Sequence, residues 1–144
     1  MSVSPVAREQ LALIARRWVE AGWQQGDVEA VSALYAPGFV DHGAVEGRAA
    51  SREGNIAGIA QLYLAFPDFF ATVDDLVLDA EAGKVAVRWT ATGMHRGEFM
   101  GIAPTGRQIT FRGIETLRVE GGLITERAGE WDGIAILEQL KETL

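Results

Sequence analysis

The apolar pattern of this chain changes period at Phe69. Before it, apolar residues recur every three or four positions; after it, they alternate. Four alternating runs follow, over roughly 70–80, 83–95, 108–120 and 123–131. Glu81-Ala82-Gly83 and Glu120-Gly121-Gly122 mark hairpins, and the Gly-Gly pair accepts positive φ without steric cost. Helices grouped ahead of an antiparallel meander give an α+β architecture and not the alternating strand–helix order of a parallel sheet.

The helical half is equally readable. Residues 6–25 predict a first helix, with Leu11, Ile14 and Trp18 on one face and Pro5 at its start. Gly26-Asp27 stops that helix and caps a second, short one carrying Val28, Val31 and Leu34, which Pro37 ends. Phe39-Val40-Asp41-His42 reads as a short strand leading to a loop with Gly43 and Gly47. Ser51 caps a third helix with Ile56, Ile59, Tyr63 and Phe66 on one face, and Pro67-Asp68 closes it. Gly54 and Gly58 weaken that helix. Gly133 to Leu144 predicts a helical tail with Ile134, Leu137 and Leu140.

Residues 1–144 are read as one domain, three helices covering one face of a strongly curved, mainly antiparallel sheet and a short C-terminal helix following it. Val85, Val87 and Trp89 lie on one side of their strand, with Ala86 and Met94 on the other. The second face is therefore expected to be covered as well, by a homodimer through the sheet.

Composition removes whole classes of function. The chain has no cysteine, so disulfides, thiol nucleophiles and cysteine-bound metals are excluded. A net charge of -7 opposes a nucleic-acid partner. The apolar run Leu11 to Ala15 is cut by Arg16-Arg17, too short for a signal peptide or a membrane span, so a cytoplasmic protein with no membrane partner is expected. Two histidines, His42 and His95, are too few for a zinc site without Asp41, Glu98 or Asp132.

The densest cluster of chemistry-bearing residues runs from Gly93 to Asp132. It contains His95-Arg96-Gly97-Glu98-Phe99, then Gly101-Ile102-Ala103-Pro104-Thr105-Gly106-Arg107, then Ile124-Thr125-Glu126 and Trp131-Asp132. With Leu34-Tyr35-Ala36, Phe39-Val40-Asp41-His42 and the Leu137-Glu138-Gln139-Leu140 tail, this order resembles the SnoaL-like family of polyketide cyclases. That family belongs to the nuclear-transport-factor-like α+β cones. The resemblance implies a cone-shaped pocket in which a carboxylate near the end of the last strand acts as acid and base in an intramolecular aldol closure, with no metal or cofactor. Asp132 stands at the matching position, with His42 and His95 from the earlier motifs beside the pocket. The implied partner is a small hydrophobic carbonyl compound, such as a polyketide-like ester. Two departures bear on the substrate. Ala128 replaces a frequent bulky aromatic, and Glu130, on the same strand face as Asp132, adds a second carboxylate where an apolar residue is common.

The candidate site is thus Asp132, His95 and His42 as catalytic groups, with Trp131, Glu130, Arg112, Phe111, Asp41 and Tyr63 as substrate-binding groups. Each has a plainer alternative. Asp132 directly precedes the last helix, where Asp is a favoured N-cap. Either histidine can simply bond a backbone carbonyl at a strand end. Arg88 and Arg112 can pair with neighbouring carboxylates such as Glu115. Asp41 is a rival base, because ketosteroid isomerases of the same cone fold carry their proton-shuttling Asp after the second helix. Isomerisation, dehydration and epoxide hydrolysis remain open on this fold; the last wants an Asp-Arg-Asp arrangement around a water, which Arg88 or Arg112 between Asp132 and Glu115 would imitate only if all point inward. A non-catalytic ligand-binding module remains open as well.

Overall fold

The computed structural model describes residues 5–43 and 49–141. The expected loop glycine Gly47 and the end of the expected tail, 142–144, lie outside the described residues. The elements run α1 (Pro5–Val19), a π-helical turn (Glu20–Gln24), α2 (Val28–Leu34), β1 (Tyr35–Asp41), α3 (Arg52–Ala65), β2 (Phe70–Asp79), β3 (Lys84–Met94), β4 (Gln108–Glu120), β5 (Leu123–Trp131) and α4 (Gly133–Lys141). The strands form one curved, unclosed sheet in the order β1-β5-β4-β3-β2. Every neighbouring pair is antiparallel except β1 with β5. This is the α+β arrangement that the period change predicts.

The first helix differs from expectation at its end. Regular α-helix stops at Val19, and Gln25 N–H bonds Glu20 C=O at 2.9 Å, five residues back. In an α-helix, Trp18 and Trp23 would lie about 140° apart around the axis. The wider turn brings their rings together instead, with centroids 4.1 Å apart.

Gly26, at φ 64°, ends this segment, and the Asp27 side chain accepts from Ala30 N–H at 3.1 Å. Strand β1 begins earlier than the pattern indicates, at Tyr35, and passes through Pro37. Proline is tolerated there because β1 is an edge strand of the sheet. Ser51 caps α3 by accepting from Gly54 N–H at 3.3 Å. Gly54 itself is required by packing, since a Cβ there would overlap the Ala49 carbonyl.

The core lies between the helices and the inner face of the sheet. Leu11, Ala15 and Trp18 of α1 meet Val85, Val87 and Ala91 of β3, and Phe66 closes the end of α3. Ile136 and Leu140 seal α4 onto β4. The opposite face of β3 and β4 carries Arg88, Thr90, Arg112 and Thr116. Among the described residues, no helix is long and apolar enough to cross a membrane.

Candidate functional site

The pairing of β4 with β5 decides which side chains face the helices. Glu115 pairs with Gly129 and Gly113 with Trp131, so Arg127, Gly129 and Trp131 point inward. Ala128 and Glu130 take the other parity. The inward residues, α3 and the loop 95–107 enclose a cavity of about 530 Å³.

Its walls are largely apolar, and Trp23, Phe69, Trp89, Phe99, Phe111 and Trp131 supply aromatic faces. The π-helical turn supplies the first of these. Phe111 sits edge-on to Trp89 at 5.4 Å and to Trp131 at 6.3 Å. Leu64 and Met100, both exposed, belong to the same lining.

Of the polar side chains that line the cavity, four form one hydrogen-bonded cluster. Arg127 Nη1 donates to Asp41 Oδ1 at 2.9 Å, and its Nη2 donates to Glu115 Oε1 at 3.0 Å. Asp41 and Glu115 are both buried, at 3% and 2% exposure. Asn55 Nδ2 donates to Asp41 Oδ2 at 2.9 Å, and Gly43 N–H donates to Oδ1. Behind Asn55, Tyr35 Oη donates to Asn55 Oδ1 at 2.6 Å and accepts from Trp18 Nε1 at 2.9 Å. One unbroken chain of hydrogen bonds therefore runs from α1 through β1 and α3 to the guanidinium on β5.

Asp41 and Glu115 are not equivalent. Both oxygens of Asp41 accept hydrogen bonds. Oε2 of Glu115 lies 2.8 Å from Arg127 Nη2 but receives no well-aligned hydrogen bond. Burial is the largest influence on Glu115 and disfavours its charged form; Arg127 opposes this, and the balance pushes the carboxyl up to about 7. Burial alone would weaken the Arg127 charge, but the two carboxylates outweigh it and hold the guanidinium protonated. Burial likewise raises the Tyr35 hydroxyl above its ordinary range. Two glycines make room for the cluster. A Cβ at Gly129 would overlap the Glu115 carboxylate, and one at Gly43 would stand 2.9 Å from Arg127 Nη1.

Of the residues singled out from sequence, Asp41, Phe111 and Trp131 line this cavity. Asp132 is exposed and caps α4, accepting from Ala135 N–H at 2.9 Å. Glu130 and Arg112 are exposed on the outward parity of their strands. His42 is exposed and bonds Glu126 at 2.8 Å, holding that carboxyl below its usual range. Tyr63 packs its ring over Gly26, 3.1 Å from where a Cβ would stand. His95 is fully buried against Phe66, and its Nδ1 accepts from Thr105 N–H at 3.1 Å. His95 N–H also donates to Arg107 C=O, so the histidine ties down the loop that brings Glu98, Phe99 and Met100 to the cavity.

Among the described residues, no three His, Asp or Glu side chains gather as metal ligands would. Outside the candidate site read from sequence lie Arg127, Asn55 and Trp23, together with Glu115, which entered that reading only as a carboxylate beside Arg88 or Arg112. One signal was present for Glu115. It is a carboxylate on the apolar parity of a strand, in register with Ile109, Phe111 and Leu117.

A family model described as SnoaL-like polyketide cyclase matches residues 13–140. Solved structures with the same fold include IdmH, a candidate polyketide cyclase from Streptomyces antibioticus. It is 33% identical, with 92% of this chain and 99% of that one covered at a TM-score of 0.78. AclR, a candidate hydroxylase from Streptomyces galilaeus, is 25% identical over 94% of this chain and 98% of its own, at a TM-score of 0.82. A candidate SnoaL-like polyketide cyclase from Jannaschia Sp. CCS1 is similar in fold, at 22% identity and a TM-score of 0.85, covering 100% of this chain and 99% of that one. No curated protein matches the sequence.

Proposed function

The chain belongs to the SnoaL-like polyketide cyclase family, and from that premise we propose that it is a cofactor-independent acid–base enzyme acting on a small carbonyl compound, with Glu115 as the proton carrier. The observation that carries this reading is a buried carboxyl, pushed up to about 7, on the wall of a largely apolar cavity. A group tuned near neutrality takes and returns protons efficiently at neutral pH. In an intramolecular aldol closure, Glu115 removes a proton from carbon between two carbonyls, the enolate carbon attacks a further, more distant carbonyl of the same molecule, and Glu115 returns the proton to the new alkoxide. Arg127 Nε, buried and without a hydrogen-bond partner, is the donor left for an enolate or alkoxide oxygen. Asp41 holds Arg127 from the other side. The outward face of the sheet is proposed as the contact of a homodimer, supported by the half-buried Ala86 and Met94 and tested by sedimentation velocity.

The first experiment isolates proton abstraction from substrate identity. An aryl ketone with an exchangeable α C–H is incubated in D2O, and deuterium uptake is followed by NMR. The wild type should accelerate uptake, and Glu115→Gln should reduce that acceleration at least about 100-fold. Unchanged exchange in Glu115→Gln, or its loss in Asp132→Asn, would return the role to Asp132.

A second reading rests on one specific observation, that Arg127 sits between two buried carboxylates. Epoxide hydrolysis wants that arrangement: one carboxylate takes a proton from water, the hydroxide opens the ring, and the other, protonated, caps the departing oxygen. Incorporation of label from H2(18)O into a diol distinguishes this from ring closure, which adds no solvent oxygen.

A further inference from the structure

We infer that the cavity selects for positive charge, and that its ligand carries a protonated amine at the Glu98 end of an apolar, ring-bearing body. The inference rests on the cavity being the ligand site, as proposed above, and adds the charge class of what enters it. Among the described residues, three carboxylates line the cavity, Asp41, Glu98 and Glu115, against a single cation, Arg127. Both terminal nitrogens of that cation are committed to Asp41 and Glu115. A carboxylate, phosphate or carrier-linked ligand would enter a lining of net negative charge on a protein of net charge -7 and, among the described residues, meet only the Nε–H of an Arg127 already paired with two carboxylates. An anion is therefore disfavoured on electrostatic grounds.

Positive charge meets the opposite situation. Glu98 is an exposed lining residue between Gly97 and Phe99, with no ion pair among those formed by the described residues. The ring of Phe99 lies 6.3 Å from that of Trp131, centroid to centroid, so the same part of the wall offers aromatic faces beside a carboxylate. An ammonium is attracted by both, through its charge and through the ring quadrupole. Deeper in, Glu115 Oε2 is buried in ion-pair contact with Arg127 Nη2 at 2.8 Å but receives no well-aligned hydrogen bond, so the far end of the ligand is expected to present a donor or a proton to it. The ligand class that fits is an amine-bearing ring compound, cationic at one end and neutral and polar at the other.

Three probes of one shape test this: 2-naphthylmethylamine, 2-naphthalenemethanol and 2-naphthoate, each titrated against the intact protein at pH 7. Binding is read from shifts of the indole N–H signals of Trp23, Trp89 and Trp131, assigned by Trp→Phe variants. The amine should bind roughly fivefold more tightly than the alcohol, and the naphthoate more weakly than the alcohol. Glu98→Gln, a change at an exposed side chain, should bring the amine-to-alcohol ratio close to one. An amine no tighter than the alcohol, or a ratio unchanged in Glu98→Gln, overturns the inference while leaving the cavity as a ligand site. Failure of both amine and alcohol to move any indole signal overturns the inference and the proposed site together.

Discussion

Tyr35 fixes the orientation of Asn55. The tyrosine hydroxyl, held by Trp18 Nε1, donates to Asn55 Oδ1, which leaves the amide nitrogen facing Asp41. Turned the other way, the amide would set its oxygen against a carboxylate oxygen. Tyr35→Phe should therefore loosen the site without touching the cavity. We expect a loss of about 1–2 kcal/mol in denaturant-monitored stability, because a buried acceptor and a buried indole donor lose their partner. Deuterium exchange into the probe ketone should fall several-fold in kcat with little change in KM. An exchange rate equal to that of the wild type would show that Asn55 needs no such support.

The carboxyl of Glu115 makes stability depend on pH in an unusual direction for an acid. Its folded value, about 7, lies above the ordinary carboxylate value of 4.5. The folded state then binds the proton more tightly than the unfolded chain does. Its contribution is fully present below about pH 4.5 and is lost as pH rises through about 7. Thermal unfolding from pH 5 to pH 8 should show this decline in the wild type, and Glu115→Gln should lack that component. Parallel pH profiles for the two proteins would contradict the assignment.

Gly129 tests the tightness of the cluster from the backbone side. Its missing side chain is the space that the Glu115 carboxylate occupies, and Arg127 Nη2 stands 2.7 Å from where a Cβ would be. Gly129→Ala should cost about 1–3 kcal/mol in urea unfolding, as overpacking of a filled site does. It should also abolish most exchange activity, since the ion pair must shift. Full activity in a stable variant would mean that Glu115 has room to move and that its position is unimportant.

Asp132 offers the reverse case. As the N-cap of α4 it satisfies one free N–H, so Asp132→Ala should lower stability by about 1 kcal/mol, measured by denaturant titration. Exchange activity should stay within about twofold of the wild type. A collapse of activity with stability preserved would restore the carboxylate to the chemistry.

Most of the fold was legible because it rests on local patterns. Alternation marked β2 to β5 within a residue or two of their observed ends, and Asp27 and Ser51 cap the helices that their positions predict. The candidate site was less so. Asp41, Phe111 and Trp131 are cavity residues, but the inward parity of β5 depends on its register against β4, which no local pattern encodes. An Arg and a Gly at positions 127 and 129 look solvent-facing when read alone. They face inward because Glu115 and Asp41, far apart in sequence, supply the charges that make a buried guanidinium tolerable. The π-helical turn was equally hidden, since nothing in Glu-Ala-Gly-Trp-Gln separates it from ordinary helix.

That turn also governs how the cavity wall tolerates changes in chain length. Trp18 and Trp23 are five residues apart and meet only because the helix widens between them. Deleting one residue would leave a spacing of four, which an ordinary α-helix carries on one face to within about 40°. The indole pair would survive while the helix became regular. Adding a residue instead would strand Trp23 on the far side of the axis. Single-residue shortening is thus the length change this wall absorbs, and a chain altered that way keeps its tryptophan lining with a more conventional backbone behind it.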